Sequence, residues 1–170
     1  TGQPLVFISS INYIPNPRNT EGRHIFTTLQ NSGWGVYLAP KTGTADEPLT
    51  LGKIGVGEKN SGIDIISNSW QNIGVKLSNN YVSFYTNGTQ RANLSYNVTF
   101  NAGNTYGIGG IRKDAALWSM NGSIDYIRVY NREMSDNEIN NLSLVYEPTI
   151  SYFGDIELSP SEVWFGAYDS

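Results

Sequence analysis

The chain has 170 residues, enough for one domain with a hydrophobic core, and its few charged residues (15%) and many glycines (18) favour a turn-rich all-β fold over a helical bundle. A net charge of -4 without a run of lysine or arginine excludes the clustered cations that nucleic acids and anionic membrane surfaces need. Cysteine is absent, which excludes disulfides and zinc–thiolate sites, and no apolar run is long enough for membrane insertion.

Alternating apolar and polar residues predict four strands in the N-terminal part of the chain, at residues 5–13, 24–29, 35–39 and 49–56. Proline, asparagine and glycine mark residues 14–22 as a loop and residues 31–35 as a turn. The last turn joins the second strand to the third, so these two strands are expected to form a hairpin.

Two polar segments flank the fourth strand and are predicted to be irregular. Residues 41–48 read as a polar loop, in which Asp46 and Glu47 are expected to be solvated because an acidic pair in a loop usually faces water. Residues 58–62 combine charged, asparagine, serine and glycine positions, and they are predicted to form a turn.

The middle of the chain predicts a three-stranded meander, at residues 70–77, 81–86 and 89–96. Ile73, Val75 and Leu77 share one face of its first strand, which is therefore expected to cover the core. The second and third strands are separated by Asn87-Gly88, a dipeptide that strongly favours a two-residue hairpin turn.

Two further strands are predicted at residues 106–111 and 124–130, with a loop at residues 112–120 between them. In the last strand, strict alternation predicts one face with Asp125, Ile127 and Val129 and an opposite face with Ile124, Tyr126, Arg128 and Tyr130.

A short helix is predicted near residues 135–142. Ser135 is a favourable N-cap, and Glu138 stands three residues later, which completes a capping box. Ile139 and Leu142 are spaced to hold this helical turn against the body of the domain.

The run from Gly122 to Ile139 resembles the closing segment of the concanavalin A-like, laminin-G-like and pentraxin-like jelly rolls. That segment has a glycine, an Ile-Asp pair, an arginine, an aliphatic–aromatic pair, Asn-Arg and then Ser-Asp-x-Glu-Ile. Five other stretches resemble strands of the same family. They are the paired Ile25-Phe-Thr-Thr and Trp34-Gly-Val-Tyr-Leu, Trp70 with Ile73 and Val75, Phe84-Tyr-Thr-Asn-Gly, and Tyr106-Gly-Ile-Gly-Gly.

The resemblance covers roughly residues 3–146 and implies an all-β, two-sheet antiparallel jelly-roll sandwich with one short helical turn. It also implies that Trp70 is buried, because its family counterpart opens a buried strand. We therefore expect a domain at residues 1–147, followed by an aromatic-rich extension at residues 148–170. The extension is expected to pack on the same domain, although docking on a neighbouring chain is the alternative.

Catalytic motifs are missing from the sequence. Laminarinase-like relatives on this fold carry a Glu-x-Asp-x-(x)-Glu strand that places two carboxylates on one face, and no glutamate here has that spacing. No Gly-x-Ser-x-Gly elbow occurs, and the lone His24 is interpreted as a strand residue rather than a base. A non-catalytic protein is therefore predicted.

Sugar binding needs an aromatic platform for the apolar face of a pyranose and planar polar groups for its hydroxyls. Trp34, Tyr37 and Trp118 lie in or beside loops and are the predicted platform residues, with Arg112 and Asp114 as hydrogen-bonding partners. The two tryptophans have an alternative role in packing of the core or its rim, and the sequence leaves that alternative open.

Calcium is the only cofactor that the resemblance suggests, because pentraxin-like relatives bind it through two loops. The corresponding residues here are Asn19, Glu21 and Asp114. Arg112 and Lys113 would repel a cation, so a pentraxin-type double site is not expected, whereas a single site remains open.

These features predict a lectin-like recognition or adhesion module that binds a glycan or polysaccharide and belongs to a larger secreted or bacterial surface protein. The alternative is a structural, decoration or receptor-binding module of a phage virion or adhesin, which would contact other protein chains through residues 148–170. A glycoside hydrolase or lyase of the same fold is the third hypothesis, because one fold hosts many functions.

Overall fold

The computed structural model describes residues 4–15, 22–28, 33–40, 47–53, 56–78, 80–98, 105–111 and 118–144, and the backbone of residues 162–165. Within these residues the chain forms eleven strands and one helix. In chain order they are β1 (Leu5–Tyr13), β2 (Arg23–Thr27), β3 (Trp34–Leu38), β4 (Glu47–Lys53), β5 (Gly57–Ile65), β6 (Trp70–Ser78), β7 (Tyr81–Thr86), β8 (Thr89–Ser95), β9 (Thr105–Ile108), β10 (Gly122–Tyr130), α1 (Asp136–Leu144) and β11 (Glu162–Phe165).

The strands form two sheets packed face to face. One sheet has the order β10-β1-β6-β7-β8 and is antiparallel throughout. The other has the order β11-β9-β2-β3-β4-β5 and is antiparallel except where β11 pairs with β9. The all-β jelly-roll sandwich with one short helix is therefore confirmed.

The main core lies between the two sheets and follows the alternation of the strands. Ile73, Val75 and Leu77 are buried there, as the sequence predicts, and they meet aliphatic residues such as Val36 and Leu51 from the other sheet. Burial of these faces provides most of the driving force for folding, because apolar area removed from water is the dominant favourable contribution.

A second, smaller core lies on the outer side of the five-stranded sheet, where α1 covers Val6, Ile8 and Tyr85 with Met134 and Ile139. The strand β1 is therefore buried on both faces, which explains its long run of apolar residues. The helix is held over this half of the sheet, and the other half of the same face is left outside its contacts.

The predicted capping box is confirmed at the start of α1. The Ser135 backbone N–H donates to Glu138 Oε2 at 2.8 Å, and the Glu138 N–H donates to Ser135 Oγ at 3.2 Å. The hydrogen bond from the Ser135 backbone, helped by Arg132, lowers the pKa of Glu138.

The predicted hairpin turn at Asn87-Gly88 is also confirmed. Both residues have positive φ angles, 47° and 75°, which is the requirement of the turn type that matches the twist of two adjoining strands. The turn joins β7 to β8 without an intervening loop.

Two of the irregularities in the strand pairing determine which side chains of β2 and β10 face the core. In β2, His24 pairs with Tyr37, and Phe26 pairs with Val36, the neighbour of Tyr37 in β3. Ile25 is therefore an extra residue in β2. Ile25 and Phe26 are consequently both in the main core.

The second irregularity lies in β10, where Ser10 pairs with Tyr126 and Ile11 pairs with Ile124, so that Asp125 is the extra residue. Ile124 therefore packs on the main core together with Ile127. Strict alternation placed Ile124 on the face of Tyr126, and that prediction was wrong because the extra residue reverses the alternation.

Three other sequence predictions are corrected. Residues 58–62 are not a turn, because they lie inside β5 and pair with β4. Trp70 is not buried: it is 46% exposed and lies on the outer face, opposite to that of Ile73. Glu47 is not solvated but begins β4 as a buried residue, whereas Asp46 lies outside the described residues.

Glu47 is buried because it forms an ion pair with Arg23, with 2.7 Å between Oε1 and Nη2. Arg23 is only 1% exposed and belongs to β2, so the pair joins the two strands that flank β3. Tyr13 of the opposite sheet reaches the same pair, and its burial, reinforced by the Glu47 carboxylate, raises the pKa of the Tyr13 hydroxyl. These three polar residues close one end of the apolar core.

The C-terminal strand β11 pairs in parallel with β9, from Glu162 opposite Thr105 to Phe165 opposite Ile108. This pairing adds part of the extension to the six-stranded sheet. The other residues of 148–170 lie outside the described part, and the domain division at residue 147 stays a prediction. Within the described residues, no helix has the length and apolar character needed to span a membrane.

Removal of one partner of the Arg23–Glu47 pair should destabilise the fold strongly. We expect Glu47→Ala to lower the free energy of unfolding by about 3–5 kcal/mol, because it leaves the Arg23 charge buried without its carboxylate. Urea denaturation measures the change. The double variant Arg23→Met/Glu47→Leu should be more stable than Glu47→Ala, since it leaves no buried charge.

The control for this prediction is the exposed pair of Arg132 and Glu138, which are separated by 2.9 Å. Arg132→Ala should cost less than about 1 kcal/mol, because solvent screens an exposed pair. Equal losses for Glu47→Ala and Arg132→Ala would contradict a structural role for the buried pair.

Candidate functional site

The outer face of the six-stranded sheet carries an open cleft of about 890 Å³. Its floor is built by β2, β3 and β4, one side is provided by β5, and Trp118 lies at its rim. The three strands of the floor are held by hydrogen bonds on both sides, so the side chains that rise from them are well positioned.

The strand registers place four side chains in one row across this face. His24 pairs with Tyr37, Tyr37 pairs with Thr50, and Thr50 pairs with Asn60. Directly paired residues of adjacent antiparallel strands point to the same side of a sheet, so the row runs across four strands. Three of its members, His24, Tyr37 and Asn60, line the cleft.

Three rings form an aromatic cluster in the cleft. The rings of His24 and Tyr37 are stacked, with centroids 4.7 Å apart and an interplanar angle of 24°. The Trp118 ring is tilted by 51° against His24, at a centroid distance of 5.7 Å. His24 is therefore held between Tyr37 and Trp118.

Two glycines make room for Tyr37. A Cβ atom at Gly22 would lie 2.9 Å from Tyr37 Cδ2, and a Cβ atom at Gly52 would lie 2.9 Å from Tyr37 Cε1. Both distances are too short for any side chain, so the phenol ring lies directly against the backbone of its neighbours. The cleft is broad because these positions carry no side chain.

The Tyr37 hydroxyl donates a hydrogen bond to Glu58 Oε2. Burial is the main reason why the pKa of Tyr37 is raised, and the adjacent Glu58 carboxylate adds to it. The phenol consequently stays protonated at physiological pH, and its ring is fixed at both edges by Glu58 and the glycines.

His24 is neutral in the folded protein. Its side chain is 3% exposed, and burial lowers its pKa to about 4. The imidazole therefore contributes a flat, uncharged ring to the cleft rather than a positive charge.

The remaining polar groups of the cleft balance each other in charge. Among the described residues that line it, Glu58 is the carboxylate and Lys53 is the ammonium group. Asn60 Oδ1 accepts a hydrogen bond from the Gly62 N–H at 2.8 Å, which leaves the Asn60 amide group able to donate to a ligand.

The structure brings together two of the predicted platform residues, Tyr37 and Trp118, through His24. Trp34 is 5% exposed and packs against Phe26 at a ring distance of 5.3 Å, so the packing alternative describes its position. It lies outside the cleft lining.

The other predicted site residues, Arg112, Asp114, Asn19 and Glu21, lie outside the described residues. Their roles in ligand or calcium binding stay predictions. Within the described part of the chain, no cluster of three or more histidine, aspartate or glutamate side chains is placed to hold a metal ion.

Sequence reasoning missed the contributions of His24, Gly52, Glu58 and Asn60. Alternation could have placed His24 and Tyr37 on corresponding faces of a hairpin, since both were assigned to strands. Glu58 and Asn60 were hidden because their polar segment was taken for a turn instead of the edge strand β5.

Comparison with known families gives a match over most of the chain. The profile of Laminin_G_3, described as concanavalin A-like lectin/glucanases superfamily, matches residues 13–140. A search of curated protein sequences finds no match.

Solved structures with the same fold include three of varied origin. A heptameric SAP-like pentraxin from Limulus polyphemus has a TM-score of 0.63 at 15% identity, covering 84% of this chain and 70% of that one. A putative carbohydrate binding protein from Bacteroides ovatus has a TM-score of 0.63 at 14% identity, covering 81% of this chain and 40% of that one. Domain 4 of an extracellular arabinanase from Geobacillus stearothermophilus has a TM-score of 0.58 at 17% identity, covering 84% of this chain and 66% of that one. At these identities the likeness shows the fold.

The buried, neutral state of His24 predicts a pH dependence of stability. Its folded pKa of about 4 lies below the ordinary value of 6.5, so the unfolded state binds more protons between these values. Stability contributed by neutral His24 is therefore complete above pH 6.5 and is lost as pH falls toward 4, by up to a few kcal/mol.

Urea denaturation at several pH values measures this loss, and His24→Gln is the matched control because the chain has no other histidine. The variant should lack the component of the pH dependence between pH 6.5 and pH 4. NMR titration of the single imidazole gives its pKa directly, and an unshifted value would contradict the burial of His24.

Proposed function

The chain belongs to the Laminin_G_3 family of the concanavalin A-like lectin/glucanase superfamily, and on this basis we propose that it is a non-catalytic carbohydrate-binding module. The ligand is an uncharged glycan or polysaccharide, and it binds in the cleft on the outer face of the six-stranded sheet. The module serves recognition or adhesion as part of a larger secreted or surface protein.

One observation carries the proposal: the cleft combines aromatic rings with hydrogen-bonding groups on a rigid sheet. Tyr37 and Trp118 supply flat apolar surface, on which the C–H face of a sugar ring can stack, and the buried His24 ring between them holds both in place. Glu58 and Asn60 lie on the adjoining strand and can bond the hydroxyl groups at the rim of the sugar.

The charge of the cleft favours an uncharged ligand. His24 is neutral, and the described lining has one carboxylate, Glu58, and one ammonium group, Lys53. A site for a polyanion needs an excess of cationic groups to offset repulsion and desolvation. Sugar hydroxyls, in contrast, are satisfied by isolated donors and acceptors of either kind.

The arrangement of acidic groups favours binding over hydrolysis. Glycoside hydrolases use two carboxyl groups on opposite sides of the scissile bond. Among the described residues lining the cleft, Glu58 is the only carboxylate, and it is engaged by the Tyr37 hydroxyl. The cleft thus resembles a recognition surface more than a catalytic centre.

The fold relatives support a glycan as the ligand. The Bacteroides protein is described as a putative carbohydrate binding protein, and the Geobacillus domain was solved in complex with arabinotriose. Another structure with this fold concerns botulinum neurotoxin type C and its interaction with two ganglioside molecules. The chain spans 40% of the Bacteroides chain, which supports a module within a longer protein.

Removal of the platform should weaken glycan binding without unfolding the protein. We expect Trp118→Ala to weaken affinity about tenfold or more, because a central aromatic contact contributes on the order of 1–3 kcal/mol. Calorimetric titration with arabinotriose and with soluble arabinan, galactan, xylan and β-glucan measures the effect. Tyr37→Phe keeps the ring but loses the bond to Glu58, so its effect should be smaller.

Tyr81→Ala is the matched control, because Tyr81 is an exposed aromatic residue of β7 on the other sheet. The affinity of this variant for the glycan should equal that of the unmodified protein. Absence of binding to the whole panel at millimolar ligand would contradict the proposed function, and so would an unchanged affinity in Trp118→Ala.

A further inference from the structure

The outer face of the five-stranded sheet has an aromatic residue that neither core uses. Trp70 opens β6 and is 46% exposed, whereas Ile73, Val75 and Leu77 of the same strand point to the main core. It lies on the face that α1 partly covers, beyond the contacts of the helix. This face is on the side of the sandwich opposite to the cleft.

Strand pairing surrounds Trp70 with uncharged polar side chains. Asn12 pairs with Trp70 on one side and with Ser123 on the other, which makes one row across three strands. The next row toward the helix consists of Ser10, with Asn72 on one side and Tyr126 on the other.

The spacing of the two rows matches the size of a sugar unit. Adjacent strands are about 4.8 Å apart, and alternate residues along a strand are about 6.7 Å apart. A sugar ring stacked on Trp70 can therefore extend over the position of Asn72, two residues along the same strand.

The amide group of Asn72, near Trp70, is available for such a bond. The Tyr126 hydroxyl donates to Asn72 Oδ1 at 2.7 Å, which fixes the orientation of that carboxamide. No described residue accepts from the Asn72 amide group, so it can donate to a ligand.

The chemistry of these rows selects an uncharged, polyhydroxylated ligand. Their side chains carry no formal charge, and the Arg128 guanidinium group lies over the Tyr126 ring at 4.7 Å. A protein partner would be expected to need a larger apolar area than one indole offers. One aromatic ring with adjacent amides and hydroxyls is instead what a single sugar unit requires.

We propose that the Trp70 face, defined by Asn12, Trp70, Asn72, Ser123 and Tyr126, is a second binding site for an uncharged sugar unit. Trp70 provides the stacking surface, and the Asn72 amide group bonds a hydroxyl group of the sugar. Together with the cleft, this site gives one molecule two sugar-binding faces on opposite sides of the sandwich. Such a molecule can link two glycan chains.

Fluorine NMR of protein labelled with fluorotryptophan tests this site directly. The chain has four tryptophans, Trp34, Trp70, Trp118 and Trp164, whose resonances are assigned from single Trp→Phe variants. Titration with arabinotriose, cellotriose and galactotriose should shift the Trp70 resonance saturably with at least one of these sugars. The Trp34 resonance serves as an internal control, because that side chain is buried.

The variant Asn72→Ala should weaken binding at the Trp70 resonance about fivefold to tenfold, the loss expected for one hydrogen bond. The affinity read from the Trp118 resonance should be unchanged in Asn72→Ala. Ser123→Ala is a second variant of the same face, for which the same pattern is expected. Equal weakening at both tryptophans would overturn the assignment of Asn72 to this site.

This experiment distinguishes a failure of the second site from a failure of the cleft. A shift at Trp118 without one at Trp70 overturns the second site and leaves the proposed function intact. A saturable shift at Trp70 alone supports the second site and contradicts the cleft. If neither resonance moves at millimolar ligand, both proposals are wrong.

Discussion

The alternation of β2 is the constraint on which both the core and the cleft depend. Arg23 points inward, where it forms the buried ion pair with Glu47, and the next residue, His24, points outward to stack on Tyr37. The extra residue Ile25 then restores an apolar side chain to the core. Because a change of register in β2 would exchange these roles, the ion pair inside the sandwich and the aromatic cluster outside it are parts of one arrangement.

The cleft gains its shape from what the neighbouring strands omit. Gly22 and Gly52 leave no side chains beside Tyr37, so the sheet itself is the floor and the aromatic rings rise from it. Placement on paired strands fixes these groups before any ligand arrives, which reduces the entropic cost of binding. The outer face of the five-stranded sheet differs, because α1 covers one half of it and leaves Trp70 exposed on the other half.

Local patterns predicted the architecture well, and contacts between distant residues were the part they could not predict. Alternation gave β1 and β7 with their observed bounds, and the capping box and the Asn-Gly turn behaved as their geometry requires. Glu47 was misjudged because its partner, Arg23, is distant in sequence. Trp70 was misjudged because the family resemblance overrode the alternation, which places it on the face opposite to Ile73. The cleft combines residues of four strands and Trp118, so no single motif could reveal it.

The central claim is that the sheet face around Tyr37 binds an uncharged glycan. Its most direct test is an NMR titration of the isotope-labelled chain with arabinotriose and the other neutral oligosaccharides, followed at the backbone amides. We expect saturable shifts centred on Gly52, Lys53 and Asn60, and their loss in Tyr37→Ala. Shifts that avoid these strands, or that persist unchanged in Tyr37→Ala, would contradict it.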